Sequence, residues 1–274
     1  MGDLFRTAPI WLLAVGLLVA SIACALAGSR IGHLLSARGD PADKLTENQE
    51  GYVVTSVYAL LGLLVGFTFS VAVERYELRR DLVIKDANSI EAVYFKSQLL
   101  DEPYRSTFWK LLVAYGENHL ELGRVRRNDA HAAGLLAKDD AFRRAIWNET
   151  GPAFQSVKSL DFSASFVDSV TDLMNTDAER YALRRAEIPT TILAILIFYS
   201  LVAAVVLGGV MRSRRGQQIG AALLALNVLA LTLVIDINRP VDGTINESQE
   251  PVERMLARLK ANPPPGSQGV MQAR

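Results

Sequence analysis

Four long blocks of this sequence contain no charged side chain, although the whole chain carries 29 basic and 29 acidic residues. The blocks are residues 10–27, 52–73, 189–210 and 219–235. A charge is costly at the centre of a bilayer, so membrane-spanning segments exclude it. A helix of roughly 20 apolar residues crosses the hydrocarbon core. The distribution of charge therefore predicts an integral membrane protein with four transmembrane helices.

The order of the blocks predicts an all-α architecture in which two transmembrane hairpins flank a helical extramembrane domain. The middle of the chain has apolar residues at helical spacing and lacks the alternating pattern of a strand. The predicted regions are an N-terminal hairpin (1–73), the extramembrane domain (74–187), a C-terminal hairpin (188–237) and a C-terminal segment (238–274) that is disordered from about residue 261.

Within the extramembrane domain, the second transmembrane helix is expected to continue beyond the membrane to about residue 100. Asp101, Glu102 and Pro103 then predict a stop and a new helix start. A loose connection is expected over residues 128–138, and the pair Gly151 and Pro152 is expected to interrupt the following helix.

The sequence offers no specific signal for catalysis, metal binding or a cofactor. Cys24 is the single cysteine, and His33, His119 and His131 share no metal-ligand spacing. Asp139 and Asp140 are most simply interpreted as solvated helix caps. Since basic and acidic residues balance, nothing indicates a nucleic-acid partner. We therefore expect a protein that is not an enzyme and that has no catalytic residue, metal or cofactor.

Small and polar residues inside the spans are candidates for helix packing. Gly62 and Gly66 form a small-xxx-small pair, which lets two helices approach closely. The alternative is that glycine is simply frequent in membrane helices. Asn227 lies near the middle of the last span, where an amide usually faces a partner helix or a wet cavity.

The charge pattern leaves the orientation in the membrane open. With four spans, both termini and the extramembrane domain lie on one side, and the two short loops lie on the other. The loops carry six basic residues, so the positive-inside rule favours the loops in the cytosol and the domain outside. The two sides differ little in their number of basic residues, because basic residues also flank the extramembrane domain.

Two long motifs resemble the bestrophin-like family of bacterial membrane proteins. The first covers residues 60–105 (LLGLLVGFTFSVAVERYELRRDLVIKDANSIEAVYFKSQLLDEPYR), and the second covers residues 235–251 (IDINRPVDGTINESQEP). The positions that carry the resemblance include Arg75, Arg79, Arg80, Asn88, Arg239, Pro240, Gly243 and Ser248.

The resemblance implies kinship with bestrophins, which are pentameric anion channels with a cytosolic helical domain and a pore lined by the second membrane helix. On this chain the corresponding pore-lining candidates are Leu63, Phe67 and Val71, whose spacing of four residues places them on one helix face. The alternative is ordinary contact with lipid or another helix. No acidic cluster matches the bestrophin calcium clasp, so calcium regulation is not implied.

The first hypothesis is therefore a multi-pass protein of the cell inner membrane, homo-oligomeric and by resemblance pentameric, that conducts small anions such as chloride. The rival is a non-conducting membrane-anchored sensor or scaffold whose middle domain binds a partner. For Arg75, Arg79 and Arg80, the alternatives are contact with lipid headgroups and a vestibule that concentrates anions.

Overall fold

The computed structural model describes residues 8–38, 47–125, 129–185, 188–211, 213–239 and 243–265. Within these ranges the regular structure is helical, which confirms the predicted all-α fold. The helices are α1 (Ile10–Arg38), α2 (Glu47–Ser97), α3 (Tyr104–Arg124), α4 (Ala130–Val157), α5 (Phe162–Arg185), α6 (Thr190–Val210), α7 (Arg214–Ile237) and α8 (Glu250–Ala261). Four of them, α1, α2, α6 and α7, are long and apolar enough to cross a membrane.

The helices form two compact units, and the long helix α2 contributes to both. The transmembrane unit comprises Met1–Arg75 and Glu187–Ile245, and the helical unit comprises Tyr76–Ala186 and Asn246–Arg274. The continuation of the second span to Ser97 agrees with the prediction. The predicted disorder of the tail concerns mainly residues 266–274, which lie outside the described ranges.

In the transmembrane unit, glycines allow the backbones of α1 and α6 to touch. A Cβ atom built on Gly28 would lie 1.9 Å from the carbonyl oxygen of Val205, and one on Gly208 would lie 1.9 Å from that of Ala25. Without side chains, the two helices approach closely enough for van der Waals contact between their backbones. Gly28 and Gly208 therefore take part in close helix packing within the described part of this chain, whereas Gly62 and Gly66 do not.

We expect Gly28→Ala to destabilise the transmembrane unit, because the added methyl group cannot fit without separating α1 from α6. Overpacking of this kind costs about 1–3 kcal/mol. The measurement is the thermal unfolding midpoint in detergent. Gly16→Ala on the same helix is the control, since no atom of the described residues outside the adjoining backbone of α1 lies within 4 Å of its Cβ position. Equal midpoints for the two variants would contradict the packing described.

The helical unit has a well-filled apolar core. The most deeply buried side chains include Ile90 of α2, Phe108 and Tyr115 of α3, and Phe166 of α5. The rings of Phe108 and Phe166 meet edge to face with centroids 5.2 Å apart. This core fixes the relative positions of α2, α3 and α5, which carry several charged residues described below.

Helix α8 adds a face to this core that the sequence interpretation missed. Val252, Met255, Leu256 and Leu259 are all buried. The indole Nε1 of Trp109 also donates a 2.8 Å hydrogen bond to the carbonyl of Leu259. The apolar residues recur at helical spacing, a signal that was present in the sequence. The C-terminal segment therefore forms a helix over Glu250–Ala261 that packs against the core of the helical unit.

The predicted break at Gly151 and Pro152 is wrong. Helix α4 begins at Ala130 and runs through Pro152 to Val157, so the loose connection predicted for residues 128–138 is also largely helical. Proline removes one backbone hydrogen bond and strains the preceding turn, at a cost of about 3 kcal/mol. Burial of Ile146, Ala153 and Val157 on both sides of the proline offsets this cost.

Candidate functional site

The transmembrane part of α2 has one buried face and one open face. Leu61, Val65 and Ala72 are buried against the rest of the chain, whereas Leu63 is 52% and Phe67 64% exposed. Since each residue turns the helix by about 100°, Leu63 and Phe67 lie on the side opposite the buried stripe. The three pore-lining candidates are thus outside the core of this chain, with Val71, 41% exposed, towards one edge of the open face.

Three hydroxyl groups in the transmembrane part of α2 are satisfied by the helix itself. The side chains of Thr55, Ser56 and Thr68 donate to the carbonyl oxygens four residues earlier at 2.8–2.9 Å. A hydroxyl paired in this way is tolerated in an apolar environment. These three hydroxyl groups consequently need no water to satisfy their donors.

The helix-packing candidates differ in what surrounds them. The side-chain amide of Asn227 donates a hydrogen bond to the hydroxyl of Ser200, which links α7 to α6. Apart from the adjoining backbone of α2, no atom of the described residues lies within 4 Å of a Cβ position at Gly62 or Gly66. Close helix packing at these two glycines remains a prediction.

The basic residues that follow the second span are not equivalent. Arg79 is buried and forms an ion pair with Glu247, an environment that favours neither the lipid nor the vestibule interpretation for this residue. Arg80 is exposed and Arg75 is half-buried. Asn88 lies beside an open polar groove between α2 and α5.

The described residues of the second family motif are held by hydrogen bonds and close packing. The guanidinium of Arg239 donates a 2.7 Å hydrogen bond to the carbonyl of Ala8. Gly243 passes so close to Asp236 that a Cβ atom would lie 2.6 Å from the Asp236 carbonyl oxygen. The hydroxyl of Ser248 accepts a hydrogen bond from the backbone of Glu250 at the start of α8. Pro240 lies outside the described residues.

A buried group of charged side chains is the main feature that sequence reasoning missed. It contains Asp86 of α2, His119 of α3, Asp139 of α4, and Asp177 and Arg180 of α5. The imidazole Nδ1 of His119 lies 2.8 Å from the Asp86 carboxylate, and its Nε2 lies 2.8 Å from Asp139 Oδ1 and 3.4 Å from Asp177 Oδ1. Arg180 forms an ion pair with Asp86. Four helices thus meet at one charged centre.

The charges in this group support one another despite burial. Burial disfavours a charged imidazole, yet the carboxylates of Asp86, Asp139 and Asp177 raise the pKa of His119 well above its ordinary value. Burial likewise opposes ionisation of Asp86, but His119 and Arg180 lower its pKa below the ordinary range. The arrangement therefore favours positive charge at the centre of the group.

The interpretation of Asp139 as a solvated helix cap is wrong. Asp139 is 5% exposed and lies inside α4, whose first turn is well before it, whereas Asp140 is exposed.

One sequence signal for the buried charged group was available, namely a charged residue within an apolar stripe. Asp86 lies four residues from both Leu82 and Ile90, and all three side chains are buried on one face of α2.

The comparisons with known proteins agree with this architecture. A family model for the bestrophin-like domain matches residues 19–252. No curated protein sequence matches the chain. A crystal structure of a single-substitution variant of a bacterial bestrophin homologue from Klebsiella pneumoniae superposes with a TM-score of 0.70 and 14% identity, covering 91% of this chain and 98% of that one.

A second crystal structure of a bacterial bestrophin homologue from the same organism gives a similar result. Its TM-score is 0.68 at 14% identity, with 93% of this chain and 100% of that chain covered. At this identity the superposition shows a shared fold. The family model assigns the chain to a family on the basis of its sequence, because the match spans most of the chain and includes both motifs. The chain therefore belongs to the bestrophin-like family.

Proposed function

We propose that this protein assembles into a closed ring, by analogy a pentamer, in the cell inner membrane and conducts small anions along an axis lined by α2. The observation that carries the proposal is the open face of a charge-free membrane span. Leu63 and Phe67 stand exposed on that face, while the opposite face of α2 packs against the chain.

A ring of identical chains would bring this face together around one axis. Several copies of Leu63, Phe67 and Val71 would then form successive apolar constrictions. Such constrictions gate ion flow by excluding water when they are narrow. Proteins with the same fold are described as bestrophin homologues, and the kinship with bestrophin channels supports an anion pathway at this position.

The first test of the proposal is the oligomeric mass of the full-length protein in lipid nanodiscs. A closed ring with several identical chains is expected, because only a ring gives α2 a central axis to line. A monomer or simple dimer would contradict the proposal. That result would favour the rival, in which the helical unit of a non-conducting membrane protein binds a partner.

A further inference from the structure

Three residues of the buried charged group are arranged as metal ligands. His119, Asp139 and Asp177 each offer one donor atom, and these atoms all lie within 4.8 Å of one another. The ligands come from α3, α4 and α5, so each helix contributes one. The side chain of His119 is 1% exposed and those of Asp139 and Asp177 are 8% exposed.

The distances suit a small divalent cation. The Nε2 atom of His119 lies 2.8 Å from Asp139 Oδ1 and 3.4 Å from Asp177 Oδ1. Two ligands of a tetrahedral zinc ion, each bonded at about 2.0–2.2 Å, are separated by roughly 3.3–3.5 Å. Only a small widening of the contact between His119 and Asp139 would bring both distances from Nε2 to these separations.

The Nε2 atom of His119 has no hydrogen-bond partner although it is buried. Asp139 is near enough, but its oxygen lies outside the direction in which a hydrogen or lone pair of Nε2 points. A buried polar atom without a partner is costly. A cation bound between Nε2 and the two carboxylates would satisfy this atom and neutralise the oxygens that face it.

The surrounding contacts orient the ligands as metal sites require. The Nδ1 atom of His119 lies 2.8 Å from Asp86 Oδ2 and 2.9 Å from Arg180 Nη1. Arg180 already donates to the same Asp86 oxygen, so we assign the hydrogen of Nδ1 as donated to Asp86. A carboxylate that accepts from one ring nitrogen leaves the other free for the metal, and this pairing recurs in metalloproteins.

The two aspartate ligands are also held in place. The side-chain amide of Asn118 donates to Asp139 Oδ1 at 3.3 Å and to the carbonyl of Leu135 at 3.1 Å. Arg143 lies 3.2 Å from Asp177 Oδ2, which leaves Oδ1 directed towards His119. The ligand set is therefore preorganised by residues that do not themselves face the ion.

We propose that His119, Asp139 and Asp177 bind a divalent cation of the zinc class and thereby fasten α3, α4 and α5 together. One imidazole nitrogen and two carboxylate oxygens suit zinc and neighbouring first-row divalent ions. The site lies entirely within the helical unit. It is independent of whether the protein conducts anions, so either proposal can fail without the other.

The test is calorimetric titration of zinc chloride into full-length protein that carries no affinity tag and has been stripped of metal by a chelator. We expect one zinc ion per chain and a higher thermal unfolding midpoint in its presence, since a ligand that binds only the folded state stabilises it. Cobalt(II) is expected to give the intense visible absorption of a low-coordinate site. Absence of stoichiometric zinc binding, or of that absorption, overturns the proposal.

Variants locate the ion. Asp177→Asn keeps the size of the side chain and is expected to weaken binding at least about tenfold, since even residues behind the ligands contribute that much. Asp140→Asn changes an exposed neighbour of Asp139 and should bind as the wild type does. His131→Gln removes the exposed His131–Glu121 pair, the other place where a described histidine meets a carboxylate. Binding lost in His131→Gln and retained in Asp177→Asn would assign the ion to the surface and overturn the proposal.

Discussion

Replacement of Asp86 by asparagine is expected to lower the free energy of unfolding of the helical unit by about 3–5 kcal/mol. The substitution preserves shape but removes the negative charge that pairs with Arg180 and His119. Removal of one partner from a buried ion pair leaves the other charge without compensation, and losses of this size follow. Arg180 is 7% and His119 1% exposed, so water cannot replace the carboxylate. The measurement is the thermal unfolding midpoint in detergent.

Glu179→Gln is the matched control for this experiment. Glu179 pairs with Lys85 at 2.7 Å and therefore joins α2 to α5, the same two helices that Asp86 and Arg180 join. Both side chains of the Lys85–Glu179 pair are more than half exposed. Exposed ion pairs contribute about 0–1 kcal/mol to the free energy of unfolding. The midpoint of Glu179→Gln should stay close to that of the wild type. Similar midpoints for the two variants would show that the buried group does not hold the helices together.

Replacement of Phe67 by alanine is expected to raise the halide flux through reconstituted protein several-fold. If α2 lines the axis, each chain contributes one aromatic ring to the same level of the pore. Truncation of that ring widens an apolar constriction and favours its hydration, which lowers the barrier to ions. The measurement is chloride-dependent fluorescence quenching in liposomes that contain equal amounts of each protein.

Phe198→Ala provides the comparison on a different transmembrane helix. Phe198 lies in α6 and is 69% exposed, against 64% for Phe67, so both substitutions remove an exposed ring from a membrane span. The flux of Phe198→Ala should equal that of the wild type. An increase in both variants, or in Phe198→Ala alone, would argue against an axis lined by α2.

The membrane architecture was predictable because its cause is local to the sequence. Exclusion of charge from four blocks requires no knowledge of which helices meet. The all-α fold and the extension of α2 beyond the membrane followed from the same patterns. Helix α8 was equally readable from the spacing of Val252, Met255 and Leu259, but no helix was predicted for this segment.

The charged centre of the helical unit was not predictable in the same way. His119 and Asp177 are far apart in the chain, and only the packing of α3 against α5 brings them together. A pattern of single residues indicates that a charge is buried, as at Asp86, but it does not identify the partner. The open face of α2 poses a different problem. Its exposed residues can be identified within one chain, but the groups that contact them lie outside it, in lipid or in other copies of the chain.

The most direct test of the central claim is the anion flux of purified wild-type protein in liposomes, measured together with the reversal potential in a chloride gradient. An anion channel is expected to carry chloride at rates well above those of protein-free liposomes, with a reversal potential near the chloride equilibrium value. Flux no greater than that of protein-free liposomes, or a reversal potential near the cation equilibrium value, would contradict the proposal that this protein conducts anions.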